Sequence, residues 1–163
     1  MPASVLFVCL GNICRSPAAE GVMERLIKER GLEETIRVDS AGTSSFHIGE
    51  PADARMRQAA QSKGFTLNSL SRQVSARDYS RFDLIIAMDR NNYRELSKLF
   101  GEPSLKLHLM TEYIADNTTR DVPDPYHGVA DGFMTVLDMC EQACPNILDA
   151  LVKISDQKAP TNE

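Results

Sequence analysis

No apolar run in this 163-residue chain is longer than the six residues 5–10, where a bilayer-crossing helix needs roughly 20. No basic stretch precedes that run and no long apolar region follows it, so no secretion signal is expected and a cytoplasmic location is. Lys and Arg concentrate nowhere. With 23 acidic against 18 basic residues the formal charge is -5, which argues against nucleic acid as a partner. Four cysteines, Cys9, Cys14, Cys140 and Cys144, are too few for a disulfide scaffold at this length, and a reducing compartment keeps them as thiols. No Gly-Lys-Ser/Thr follows the first apolar run, which excludes a Walker-type nucleotide loop, and a dinucleotide fingerprint is absent too. Nor does any repeat, low-complexity tract or linker divide the chain. A single domain over residues 1–155 is expected, with 156–163 as a frayed tail.

What is present is an alternation of short apolar runs and amphipathic segments. Residues 5–10 read as a strand buried on both faces, 35–41 as a second, 83–88 as a third around Leu84 and Ala87, and 105–109 as a fourth. Ser16 and Pro17 look like a capped helix start, followed by a helix over 18–30 that Gly31 ends. Helices are also expected over 53–63, stopped by Gly64, and 91–100, stopped by Gly101. Residues 110–131 read as a long polar loop, and 132–153 as a helix that Pro145 kinks or splits. Such an alternation predicts an α/β fold, a four-stranded parallel sheet with helices on both faces, with ligands at the carboxyl ends of its strands.

The first of those ends carries Cys9-Leu10-Gly11-Asn12-Ile13-Cys14-Arg15-Ser16. A Cys six residues before an Arg is weak evidence alone, but here the Cys closes a strand and the Arg stands before a helix start. Gly11 and Asn12 between them tolerate turned backbone. Consecutive amides converging on a helix N-terminus make an anion cradle, and the planar fork of Arg15 can grip two phosphate oxygens. The same field favours a negative sulfur at Cys9, which is the nucleophilic form. Cys14, in the same loop, could capture an oxidised Cys9 as a reversible disulfide or serve only as a packing thiol. Cys140 and Cys144, four apart on one helical face, read as core, and no metal or organic cofactor is implied.

These residues resemble the low-molecular-weight protein tyrosine phosphatases over nearly the whole chain. The loop over 8–17 matches the family's signature loop, Asp39-Ser40-Ala41-Gly42-Thr43 its second strand end, residues 83–89 its third strand, and Asp124-Pro125-Tyr126 its general-acid loop. The resemblance implies Cys9 as nucleophile, Arg15 as phosphate ligand and Asp124 as the acid that protonates the leaving phenolate and later activates water. It implies supporting roles for Ser16, Asn12, Ser40 and Asp89, and a substrate cleft walled by Phe46, Tyr126 and His127. Because Cys9 must be a thiolate while Asp124 carries a proton, turnover is expected to peak in mildly acid solution. The implied partners are phosphotyrosine proteins, small aryl phosphates and a tyrosine kinase, with the enzyme a monomer off the membrane.

Two positions depart from the family pattern. Ser69 stands where many members have a His in the loop network, and His127 where many have a second Tyr. His47 and His108 show no partner in the sequence and read as surface or interior fillers. Two rival activities share the fold. Arsenate reduction needs relay thiols after the third strand, and residues 66–100 contain none. Phosphoarginine hydrolysis goes typically with Thr where Ile13 stands, and the apolar Ile13 favours a phenyl ring.

Overall fold

The computed structural model describes residues 2–115, 121–127 and 132–159, the side chain of His127 excepted. β1 (Ala3–Cys9) lies between β2 (Ile36–Gly42) and β3 (Leu84–Ala87), and β4 (Leu107–Leu109) completes the order β2-β1-β3-β4. Every pair is parallel. Val5, Leu6, Phe7 and Val8 are all fully buried, as a strand covered on both faces requires. Alternate residues divide the core between two layers. Val5, Phe7 and Cys9 pack with α1 (Arg15–Glu29), α2 (Ala54–Ser62) and α5 (Gly132–Lys158). Leu6 and Val8 pack with Leu96 of α4 (Arg90–Phe100) and Tyr79 of α3 (Asp78–Arg81). The chain leaves β1 toward one face and β3 toward the other, so a crevice opens at their carboxyl ends, where such sheets bind ligands.

Several local expectations are corrected. α1 begins at Arg15, its N-cap is Cys14, and no side chain caps it. Ser16 lies inside the helix because its hydroxyl is drawn to Cys9 instead. α5 runs unbroken past Pro145 to Lys158. The carbonyl that Pro145 deprives of its bond belongs to Glu141, an exposed residue that water can serve. The helix also continues three residues into the expected tail, since Lys158 bonds the Pro2 carbonyl at 3.2 Å and Asp83 at 2.7 Å. Residues 160–163 lie outside the described ones. The long loop contains two 3-10 turns, Met110–Tyr113 and Pro125–His127. The four-residue α3 carries too little periodicity to announce itself. No helix among the described residues is long and apolar enough to cross a membrane.

Leu148 is fully buried, whereas Leu105 is 80% exposed. Leu148→Ala should therefore lose about 2–5 kcal/mol in denaturant unfolding, and Leu105→Ala less than about 0.5 kcal/mol. Equal losses would contradict the assignment of the core.

Candidate active site

At the end of β1 the backbone turns its carbonyls outward. Those of Cys9 and Leu10 accept from the amides of Thr43 and Ser44, that of Ile13 from Asp53, and that of Cys14 from Ala18, all between 2.8 and 3.1 Å. The Gly11 carbonyl accepts from the Ser71 hydroxyl at 3.0 Å. The amides therefore face inward. Those of Leu10, Gly11, Ile13, Cys14, Arg15 and Ser16 donate to nothing among the described residues, and that of Asn12 points at the Cys9 sulfur at 3.3 Å. The inversion needs Asn12 at φ 56°, a left-handed conformation that Asn tolerates better than most residues. It also needs Gly42, where a Cβ would sit 2.7 Å from the Leu10 carbonyl oxygen and 3.1 Å from the Asn12 nitrogen.

The Asn12 side chain fixes the polarity of a buried chain of hydrogen bonds. Its Oδ1 accepts from the Arg72 amide at 3.0 Å, so its Nδ2 is the donor to Ser16 Oγ at 2.8 Å and to Ser40 Oγ at 2.9 Å. The Ser16 proton is then left for the Cys9 sulfur at 3.0 Å, or for the Ala41 carbonyl at 3.3 Å. Ser40 in turn donates to Glu20 at 2.6 Å. Ser69, at the position that departs from the family, hydrogen-bonds the same carboxyl. Burial, with the nearby negative charges of Glu24 and Asp39, pushes the Glu20 carboxyl up to about 7 despite those two bonds.

Opposite the sulfur, Arg15 Nη1 donates to Asp89 at 2.6 Å and to the Val122 carbonyl at 3.0 Å. Its Nη2 lies 3.6 Å from Asp124. Burial works against the guanidinium charge, but Cys9, Asp89 and Asp124 outweigh it and hold the group firmly protonated. Asp89 also caps α4, accepting from the Asn92 amide at 2.7 Å. The Cys14 thiol is pushed up to about 12, chiefly by burial and then by Asp53, Cys9 and Asp124, so it stays neutral near Cys9.

Cys9, Leu10, Gly11, Ile13, Cys14, Arg15, Phe46, Asp124 and Tyr126 thus meet around one cavity of about 170 Å³. Asn12, Ser16, Ser40 and Asp89 stand behind it. Phe46 is 88% exposed, so it marks the mouth rather than a buried wall. The His127 side chain lies outside the described residues. Ser44 and His47 line the cavity as well. His47 is no filler, for it bonds Glu50 at 2.6 Å and its ring stands 6.2 Å from that of Tyr126. His108 has a partner too, Glu112 at 3.7 Å. Cys140 and Cys144 are fully buried in the core. Among the described residues no three His, Cys, Asp or Glu side chains cluster as a metal site would.

The family model described as low molecular weight phosphotyrosine protein phosphatase matches residues 4–157. The chain belongs to that family. It is 39% identical over 149 residues to the low molecular weight phosphotyrosine protein phosphatase of Gallus gallus, covering 90% of this chain and 94% of the relative. The crystal structure of a protein tyrosine phosphatase from Entamoeba histolytica with Hepes in the active site superposes with TM-score 0.87 at 44% identity, covering 96% and 99% of the two chains. A drosophila arginine phosphatase superposes with TM-score 0.81 at 34% identity and coverage of 96% and 99%.

Two predictions follow from how this phosphatase holds its loop. Gly42→Ala forces backbone against backbone, and an error near 1 Å in the cradle should lower kcat/KM on an aryl phosphate by about a hundredfold; unchanged turnover would show that the loop can yield. The Glu20 carboxyl has its folded-state value raised to about 7 from an ordinary 4.5. Between those values the native state holds a proton that the unfolded chain releases, so stability falls as pH rises through this window. Melting temperatures from pH 4.5 to 8 should show that fall in the wild type and a shallower one in Glu20→Gln. Parallel profiles would refute the assignment.

Proposed function

We propose that this phosphatase hydrolyses phosphotyrosine in proteins, and small aryl phosphates, through a phosphocysteine intermediate. The observation that supports the reading best is the convergence on one cavity of Cys9, Arg15, Asp124 and a loop whose amides, that of Asn12 apart, have no acceptor among the described residues. The Cys9 thiolate attacks phosphorus while the amides and Arg15 hold the three equatorial oxygens. As the phosphorus–oxygen bond to the phenol breaks, Asp124 delivers its proton to the departing oxygen. In the second half the Asp124 carboxylate takes a proton from water, whose oxygen attacks phosphorus. The sulfur–phosphorus bond breaks, and the Ser16 hydroxyl stabilises the thiolate as it leaves. No metal enters either step. The enzyme acts as a cytoplasmic monomer on proteins that a tyrosine kinase has modified.

Asp124 lines the cavity, whereas its neighbour Asp121 is engaged elsewhere. Hydrogen bonds from the Arg90 side chain and amide hold Asp121 below the usual carboxylate range, whereas Asp124 lies beside Arg15 on the cavity wall. Ile13 in the cavity wall favours an aryl group over a guanidinium, and the absence of thiols from residues 66–100 disfavours arsenate reduction. Parallel assays of phosphotyrosine, phosphoserine and phosphoarginine peptides test this reading. Phosphotyrosine should be the best substrate, and preference for phosphoarginine would overturn it.

Cys9→Ser should fall below about a thousandth of wild-type turnover while still binding inorganic phosphate, because amides and Arg15 remain. Residual activity above that level would argue against a covalent step at this sulfur. Asp124→Asn should cost about a hundredfold with a tyrosine leaving group and much less with an activated phenol. An equal loss with both would assign the acid elsewhere.

A further inference from the structure

The seven exposed large apolar side chains among the described residues are Leu10, Phe46, Ile48, Leu70, Leu99, Leu105 and Tyr126. Three of them, Leu10, Phe46 and Tyr126, line the catalytic cavity. Ile48 and Leu70 do not, yet both lie on segments tied to residues that line it. Ile48 follows His47, which lines the cavity, and Leu70 precedes Ser71, whose hydroxyl holds the Gly11 carbonyl. The two segments are tied to each other. Gly49 donates to the Ser71 carbonyl and Ser71 to the Glu50 carbonyl, both at 2.8 Å, and Pro51 and Leu70 form an isolated antiparallel bridge. Ile48 and Leu70 are 56% and 61% exposed, so they stand on a braced ribbon rather than a free loop. Concentration of exposed apolar area beside one cavity marks a binding surface, whereas single scattered residues such as Leu99 and Leu105 do not.

We propose that Ile48 and Leu70, continuing the rim formed by Leu10 and Phe46, dock a large apolar side chain next to the phosphotyrosine of a protein substrate. The inference rests on the phosphotyrosine reading and adds a sequence preference to it. A phosphotyrosine whose ring enters the cavity leaves its backbone at the mouth, and its neighbours follow at roughly 3.3–3.6 Å per residue, across this rim. Charge points the same way. The basic side chains on these segments are engaged already: His47 with Glu50, Arg55 with Asp53, Arg57 with the Ala52 carbonyl, and Arg72 with Asp39 and Asp78. Of these only Arg57, on a carbonyl, has no carboxylate partner among the described residues, and an acidic neighbour also meets a protein of charge -5. The rim therefore selects by apolar contact, as hot-spot pockets do.

The test compares phosphotyrosine peptides carrying Leu, Ser or Asp at the two positions on either side. Leu should raise kcat/KM about fivefold or more over Ser through KM, with Asp lowest, since apolar contacts of this size discriminate by about that much or more. In the double variant Ile48→Ser, Leu70→Ser the advantage should vanish while turnover of a small aryl phosphate stays unchanged. Equal kcat/KM for Leu and Ser peptides in the wild type, or an advantage that survives in the variant, would overturn the proposal while leaving phosphotyrosine hydrolysis standing. So would sedimentation showing a wild-type dimer that the double variant dissolves, which would assign the rim to a second copy of the chain. Failure to hydrolyse any phosphotyrosine peptide, with aryl phosphate still turned over, would overturn the functional reading beneath it as well.

Discussion

A backbone amide that faces an anion cannot also bond a carbonyl, and the molecule is organised around keeping six such amides turned inward over a single turn of chain. The cost of leaving donors without protein partners is limited by satisfying the carbonyls of the same residues from outside. Thr43 and Ser44 at the end of β2 take two, Ser71 and Asp53 from separate segments take two more, and α1 takes the Cys14 carbonyl for its first turn. This outward bonding is why β2 must run beside β1 to its last residue, in register from Ala3 with Ile36 to Cys9 with Gly42. It is also why Gly42 cannot carry a Cβ. The sheet order and the cradle are thus one constraint seen at two scales.

Behind the cradle the polar chain runs from Cys9 through Ser16, Asn12 and Ser40 to Glu20, entirely within the buried interior. Each group has one role available, because the Asn12 oxygen is taken by the Arg72 amide. Such a chain orders its members without adding charge at the sulfur. Glu20 ends it with no salt-bridge partner among the described residues. Among the groups that shift its protonation, Ser40 and Ser69 donate to it and Glu24 and Asp39 repel it, so a proton is the cheapest neutraliser. The network thus ends on a carboxyl pushed up to about 7. The two loop cysteines, five residues apart, have different surroundings. Cys14 is buried toward Asp53 and kept neutral, while Cys9 receives the Asn12 amide and the Ser16 hydroxyl.

Sheet, helices and the loop from Cys9 to Arg15 were legible because each leaves a short-range mark. β1 and β3 are continuous apolar runs, α4 has a polar and an apolar face bounded by Asp89 and Gly101, and the Cys9-to-Arg15 loop has a fixed spacing. What escaped depends on long-range packing. Glu20 sits on an amphipathic helix where a Glu reads as solvated, and only the return of the chain at Ser40 and Ser69 buries it. His47 looked idle since its contact with Tyr126 spans nearly eighty positions. Ser16 has the chemistry of a cap, and a nearby sulfur outbid the backbone for its hydroxyl. Pro145 carries the usual breaking signal, but α5 is pinned along its length by buried Cys140, Ala143, Cys144, Ile147 and Leu148, which outweighs one missing bond.

Arg15 joins the two halves of the site. Through Nη1 it holds Asp89, which caps α4 after β3, and the Val122 carbonyl, while the Val122 amide donates to the Met88 carbonyl at 2.8 Å. Val122 is therefore clamped on both sides two residues before Asp124. The guanidinium that faces the cavity also stands 3.6 Å from the Asp124 carboxyl. A lysine, with one ammonium on a flexible stem, could not serve Asp89, Val122 and the cavity together, since it lacks the planar fork. The inner site is thereby tied together through one guanidinium, while Leu10, Ser44, Phe46, His47 and Tyr126 complete the cavity lining. The rim outside it, where Ile48 and Leu70 stand, is tied back to the same loop, since the Ser71 hydroxyl holds the Gly11 carbonyl and the Arg72 amide holds Asn12 Oδ1.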